Sequence, residues 1–352
     1  MLESEAAGAK VDHPVSSVKP KLLVVELWGL GDLVIGTPFL RAASRQYEVT
    51  LLAKPYAVDL QQRFWPDVRV VPFVAPWTAF KHKYRLYAWP WWRMLRLLNA
   101  LAKDRFDFGL SARRGADGGG DPRDHLLLLL AGAKTRLGFP HLGSGLILAK
   151  PVVQPEPQAH RYENWRVMAR ALGFDMPPRE SLALPHSHPA GEILVHTGAG
   201  QSVRVWPLER YRGLVAWLRR KHYRVQVACD PDQRDWWLAS GEPDVATPRT
   251  VAELLVLTDR AGAFIGNDSG PGHLAAFCGV PTFTLFGPQV SEWFAPLHPA
   301  SEWLEGKACP YRPCSDYCRF SAPCCMANSS EEEVCALVES FVARTLSAGK
   351  HG

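Results

Sequence analysis

Lys21–Glu26 (KLLVVE) is a short apolar, β-rich run that stops at Trp28-Gly29-Leu30-Gly31-Asp32. From Leu33 to Arg45 the apolar positions take up helical spacing, and Pro38 is placed near the first turn, where proline is tolerated. Val49–Ala53 is the next strand. Strand, Gly-rich turn, helix, strand is a βαβ unit, which predicts a parallel sheet. Val68–Phe73, Phe106–Ser111 and Thr135–Phe139 continue the strands, with helices over 91–104 and 124–132 between them. A second series starts after a proline-rich stretch, 175–191, read as the connection between domains. It predicts strands at Ile193–His196, Val225–Cys229, Ala263–Gly266 and Thr282–Phe286. Helices are predicted at Pro207–Lys221, Val251–Thr258, His273–Cys278 and Glu331–Leu346. The last begins with Ser330 as N-cap and three glutamates that suit the helix dipole. Two similar α/β units facing each other place the ligand at the carboxyl ends of the strands, in the cleft between them.

Composition narrows this pattern. At 352 residues, with 47% apolar and 21% charged positions, the chain is long enough for two globular domains. The longest apolar run, Leu126–Ala133, is far short of a membrane span, and the acidic N-terminus lacks the apolar stretch of a secretory signal. A soluble cytoplasmic protein is expected. The formal charge of +5 divides unevenly: residues 1–190 hold 25 Lys+Arg against 17 Asp+Glu, residues 191–352 hold 15 against 18. The basic half suits an anionic partner, or is a solvated face. Cys309, Cys314, Cys318, Cys324 and Cys325 fall close together, and in a reducing compartment such a group reads as metal or redox chemistry before disulfides.

Three Gly-rich turns carry candidate chemistry. The first, at 28–32, lacks dinucleotide spacing, and no ATP-binding P-loop occurs. It delivers Asp32 to a helix start, where a carboxylate can accept a proton from a substrate hydroxyl or simply cap the helix. The second, Gly266-Asn267-Asp268-Ser269-Gly270-Pro271-Gly272-His273, opens a helix whose free N–H groups favour phosphate; Asp268 suits sugar hydroxyls and His273 a phosphate oxygen. The third, His196 to Pro207, holds Thr197, Gly198 and Arg204, and Arg204 is suited to clamp a diphosphate.

These residues resemble glycosyltransferase family 9, the ADP-heptose:lipopolysaccharide heptosyltransferases. The resemblance rests on LWGLGDLVIGTPFL (27–40), RFDFGLSARRG (105–115), HTGAGQSVRVWPLERY (196–211), FIGNDSGPGHLAAFCGVPTFTLFG (264–287) and CPYRPCSDYCRFSAPCCM (309–326). It implies a GT-B fold of two Rossmann-like domains facing a central cleft. Residues 21–180 would bind the acceptor and 190–330 the donor, flanked by a flexible extension (1–20) and a C-terminal helix and tail (331–352). It implies inverting transfer of a sugar, ADP-heptose being the expected donor, to a hydroxyl of a lipid-linked saccharide, with no catalytic cofactor. Asp32 would be the general base. Thr197, Gly198, Arg204, Asp268, Ser269, Gly270, Gly272 and His273 would hold the donor, with Asp232 and Gln233 near the nucleoside. Gly31, Arg113, Arg114 and Arg123 would meet the acceptor. Closure of the cleft is expected to bring the anomeric carbon within about 3–3.5 Å of the acceptor oxygen. Thr197 replaces a common proline, Arg204 a lysine and Gln233 a glutamate, which leaves the nucleoside open.

Four of the clustered cysteines, Cys309, Cys314, Cys318 and Cys324, could hold a structural zinc, or remain reduced thiols or a redox pair. Residues 77–98 mix seven aromatic residues with Lys81, Lys83, Arg85, Arg93 and Arg96 and carry no acid. That composition suits peripheral contact with an anionic inner membrane face, or an aromatic core helix beside a basic loop. Rival readings are a nucleotide-sugar epimerase, a nucleic-acid-binding module and a donor-binding protein without catalysis. The phosphate-type loops and the acidic C-terminal half argue against nucleic acid.

Overall fold

The computed structural model describes residues 18–78, 85–115, 117–182, 184, 191–314 and 317–347. The first half alternates β1 (Lys21–Glu26), α1 (Leu30–Gln46), β2 (Glu48–Ala53), α2 (Ala57–Phe64), β3 (Arg69–Pro72), α3 (Trp91–Ala102), β4 (Phe108–Leu110), α4 (Pro122–Leu130), β5 (Thr135–Gly138), β6 (Lys150–Pro151) and α5 (Arg161–Leu172). Its six strands form one parallel sheet in the order β3-β2-β1-β4-β5-β6. The second half runs β7 (Glu192–His196), α6 (Leu208–Arg220), β8 (Val225–Ala228), α7 (Arg234–Ala239), α8 (Val251–Arg260), β9 (Ala261–Asn267), α9 (Gly270–Phe277), β10 (Thr282–Phe286), α10 (Ser291–Phe294), β11 (Glu302–Glu305), α11 (Cys324–Ala327) and α12 (Glu331–Ser347). Its five strands form a second parallel sheet, β11-β10-β9-β7-β8. Two parallel sheets with crossover helices are the expected two-domain α/β architecture.

The central strands are apolar along their length because helices cover both faces. Leu22 to Val25 in β1 and all seven residues of β9 are buried. Two helices begin earlier than their sequence pattern suggests. α1 starts at Leu30, so Asp32 lies in its first turn and Pro38 in its interior. α9 starts at Gly270, because Ser269 sits at the N-cap and proline is tolerated in a first turn. The C-terminal helix α12 is not a separate appendage: Val334, Val338, Phe341 and Val342 are buried in the second domain's core with Trp206 and Tyr211.

The domains share a core. Phe39, Leu40 and Leu60 of the first half belong to one buried cluster with Leu254 and Leu255 of α8 and Leu274 and Phe277 of α9. Phe64 meets Phe277 edge-on at 5.2 Å, and Arg63 grips Asp259 with two hydrogen bonds of 2.8 and 2.7 Å. An apolar interface of this kind restrains relative domain motion, which is otherwise the default. No helix among the described residues is long and apolar enough to cross a membrane.

Candidate active site

The two central strands deliver their turns to the same place. Trp28–Asp32 follows β1, Asn267–His273 follows β9, and the starts of α1 and α9 abut. A Cβ on Gly31 would come within 2.7 Å of the His273 ring, and one on Gly270 within 2.7 Å of Leu30. Glycine at both positions lets the helix starts approach closely.

On the first side, Asp32 Oδ2 accepts the Gly29 N–H at 3.1 Å, which is the capping role. Its other oxygen, Oδ1, accepts from Arg113 Nη1 at 3.3 Å. The Asp32 side chain retains 24% exposure, so it is available to solvent or substrate. Arg113 lies 4.1 Å over the Trp28 ring, a cation–π contact that fixes its guanidinium. Asp32 and Arg113 share a cavity of about 20 Å³, room for one water, with Glu26, Arg161 and Asn164. Burial and the neighbouring Arg114 and Arg113 push Arg161 down to about 10.

Sequence reasoning missed Glu26, Trp28 and Arg161. Glu26 ends β1 with 4% exposure, and burial together with the Asp32 charge pushes its carboxyl up to about 8. Arg161 opens α5, and its guanidinium lies 4.4 Å over the Trp293 ring of the second domain. Nothing local in either segment signals that contact. Beside it, His160 Nε2 is 2.8 Å from the Ala295 carbonyl and burial depresses its pKa to about 3, so the neutral ring is the donor.

The other predicted acceptor residues are committed within the protein. Arg114 is buried and donates to the carbonyls of Pro155, Glu156 and Ala159, which shapes the 155–159 loop. Arg123 forks onto Asp121, the N-cap of α4, at 2.9 and 2.6 Å, and its guanidinium lies 5.6 Å over Trp28.

On the second side, Asp268 is 5% exposed and lies 3.5 Å from Arg204 Nη1 and 3.8 Å from His273 Nε2. Ser269 Oγ, His273 Nδ1 and Arg204 Nε are buried with no hydrogen-bond partner among the described residues. Such groups are costly unless a ligand or water satisfies them. Asn267 braces the turn: its Oδ1 accepts from the Trp206 N–H at 3.1 Å and the Tyr211 hydroxyl at 2.9 Å, and its Nδ2 donates to the Thr197 carbonyl at 2.9 Å. Thr197 is fully buried, donates to Gln233 Oε1 at 2.8 Å and accepts from Trp237 Nε1 at 3.1 Å. Gln233 Nε2 returns to the Thr197 carbonyl at 3.3 Å. Both residues therefore hold the loop's shape from within, while Gly198 faces the Asp230 carboxylate and Asp232 is exposed.

Of the readings left open for Cys309, Cys314, Cys318 and Cys324, a structural zinc finds no support. Among the described residues no group of three or more His, Cys, Asp or Glu side chains is arranged to hold a metal ion, and all eight cysteines are free. Cys314 turns its thiol to the Tyr311 carbonyl and Cys318 its own toward that of Ala322.

The family model for glycosyltransferase family 9 (heptosyltransferase) matches residues 125–320, more than half of the chain. The chain belongs to this family. The matched range holds every donor-side residue named above and not Asp32. Lipopolysaccharide heptosyltransferase 3 of Escherichia coli K12 is 31% identical over 104 residues, which span 27% of this chain and 30% of that protein. Two solved structures align along nearly the whole chain. E. coli ADP-heptose lps heptosyltransferase II is 17% identical with a TM-score of 0.65, over 92% of this chain and 99% of that one. E. coli heptosyltransferase WaaC with ADP is 16% identical with a TM-score of 0.69, over 91% and 99%. At these identities the likeness is one of fold, the GT-B arrangement.

Proposed function

We propose that this protein transfers a sugar, with inversion, from a nucleoside-diphosphate sugar to a hydroxyl of a saccharide acceptor. The observation that carries this reading is the abutment of the Asp32 turn and the Gly270–His273 turn. One side offers a partly open carboxylate, the other unpaired donors at a helix start. Asp32 takes the proton as the acceptor oxygen bonds to the anomeric carbon. The bond from that carbon to the diphosphate oxygen breaks, and the nucleoside diphosphate leaves with the electron pair. Arg204, His273, Ser269 and the free N–H groups of α9 meet the charge that develops on it. Asp268 binds hydroxyls of the sugar, while Gly198 lets its loop pass close to Asp230 and Gly272 lets α9 start against the Phe264 ring. Arg204 lies 3.5 Å from Asp268, so the cation meant for the diphosphate stands beside the carboxylate meant for the sugar. Arg113 is the cation best placed to meet an anionic acceptor.

ADP-heptose is the donor we favour, because the similar structures include E. coli heptosyltransferase WaaC, solved once with ADP and once with ADP-2-deoxy-2-fluoro heptose. A lipid-linked acceptor is supported by the surface of α3. Trp77 and Met94 turn into the core, whereas Tyr87, Trp91, Trp92 and Leu95 are exposed beside Arg93 and Arg96. Leu126, Leu129 and Leu130 extend the exposed apolar surface on the adjoining α4. Phe80, Lys81, Lys83 and Tyr84 lie outside the described residues. This surface suits an anionic membrane.

Calorimetric titration with ADP, UDP and GDP, at fixed salt and without metal, tests the donor site. Micromolar ADP binding with a clear preference is expected. Preference for UDP or GDP would move the donor elsewhere, and no binding at all would overturn the reading. Co-sedimentation with vesicles containing anionic phospholipid, compared with neutral vesicles, tests the surface of α3.

A further inference from the structure

Glu26 has no part in the reaction as drawn, yet it shares the base's cavity. Its Oε1 accepts the Trp28 N–H at 3.0 Å, and the Tyr56 hydroxyl donates to the Trp28 carbonyl at 3.1 Å. Trp28 is thus held at both of its peptide groups. Its ring carries the Arg113 guanidinium, and Arg113 donates to Asp32. A continuous chain of contacts runs from Glu26 through Trp28 and Arg113 to the base. No ion pair to Glu26 occurs among the described residues, so the carboxyl sits at a strand end with a single hydrogen bond.

We propose that Glu26 is a positioning residue that must be neutral for Arg113 to remain on Asp32. The proposal rests on Asp32 being the base.

The charges around Glu26 fit this. Asp32 from α1 and Asp124 from α4 oppose its ionisation. Arg113 favours it, and Lys54, after β2, lies close enough for the Glu26 and Asp32 charges to raise its own pKa against burial. Arg114 and Arg161 line the same cavity. Burial outweighs the nearby cations, so the neutral acid persists through neutral pH. Once Glu26 ionises, a second carboxylate competes for Arg113, and the base loses its fixed partner.

Two measurements on the full-length protein test this. In pH–rate profiles the wild type should lose kcat as pH rises through about 8. Glu26→Ala should lower kcat at pH 7 about tenfold with the donor KM unchanged, less than the roughly 100-fold that an ångström of misplacement can cost. Glu26→Gln, neutral and of the same shape, should restore most of that loss and remove the alkaline fall. A Glu26→Gln profile that superimposes on the wild type's would overturn the proposal. So would failure of Gln to rescue the alanine variant. The second measurement needs no turnover: ¹³C-carboxyl NMR, with Glu26 assigned from the Gln variant. Titration near pH 8 supports the proposal, and titration near the ordinary glutamate value overturns it. Because this readout does not depend on Asp32 acting as the base, it separates failure here from failure of the assigned base.

Discussion

The turns after β1 and β9 are built alike and do opposite things. Each follows the central strand of a parallel sheet and opens a helix at the strand's carboxyl end. At the first, Asp32 caps its own helix and keeps one oxygen outward for Arg113. At the second, Ser269 makes no side-chain cap, and Gly270, Pro271 and Gly272 leave the helix start bare. A capped start holds negative charge, which suits a proton acceptor. A bare one presents positive potential, which suits a departing diphosphate. The family match covers the second turn and not the first.

The sharpest way to break this comparison is to force the turns apart. Gly31→Val would drive a branched side chain into the His273 ring. We expect turnover to fall at least about 100-fold, since small misplacements at a reacting centre have effects of that order. Steady-state kinetics beside a melting curve distinguishes displacement from unfolding. Removing the cation on the bare side is next. Arg204→Ala should weaken nucleoside-diphosphate binding by about 1.5–3 kcal/mol, read as Kd by calorimetry. An unchanged Kd would take Arg204 out of the diphosphate site.

A pH-dependent effect probes the capped side. The Glu26 carboxyl is raised in the folded state, from 4.5 to about 8. Within that window the folded protein binds the extra proton, so this group's contribution to stability falls as pH rises from about 4.5 and levels off above 8. Glu26→Gln should therefore melt progressively higher than the wild type from pH 5 to pH 8, with a constant difference beyond. The smallest effect belongs to the joint behind the turns. The Arg63–Asp259 pair is 38% and 48% exposed, so Arg63→Ala should change unfolding free energy by at most about 1 kcal/mol. A larger loss by urea denaturation would mean that this pair, rather than the shared apolar core, sets the domain arrangement.

The two turns were legible in the sequence because glycine, proline and aspartate signal locally. Strand ends such as Lys21–Glu26 and Thr282–Phe286 were legible for the same reason. What stayed hidden was set by distant packing. Arg161 reads as an ordinary helical cation, and only the fold places it over Trp293. Glu26 reads as the polar end of a strand, and only the sheet order buries it beside Asp32. Thr197 and Gln233 read as ligand contacts, and only the fold shows them bonded to each other, with Trp237 Nε1 on the Thr197 hydroxyl. The aromatic run at 77–98 divides: Trp77, ahead of α3, packs into a buried cluster, whereas Trp92 lies on the exposed face of the amphipathic α3.

The most direct test of the central claim is Asp32→Asn, measured as both turnover and nucleoside-diphosphate Kd. If the capped turn supplies the base and the bare turn the donor site, turnover is lost while Kd stays within about twofold, because binding and proton transfer lie on different helices. An active variant, or an equal loss of binding, would contradict that division and leave Asp32 as a helix cap.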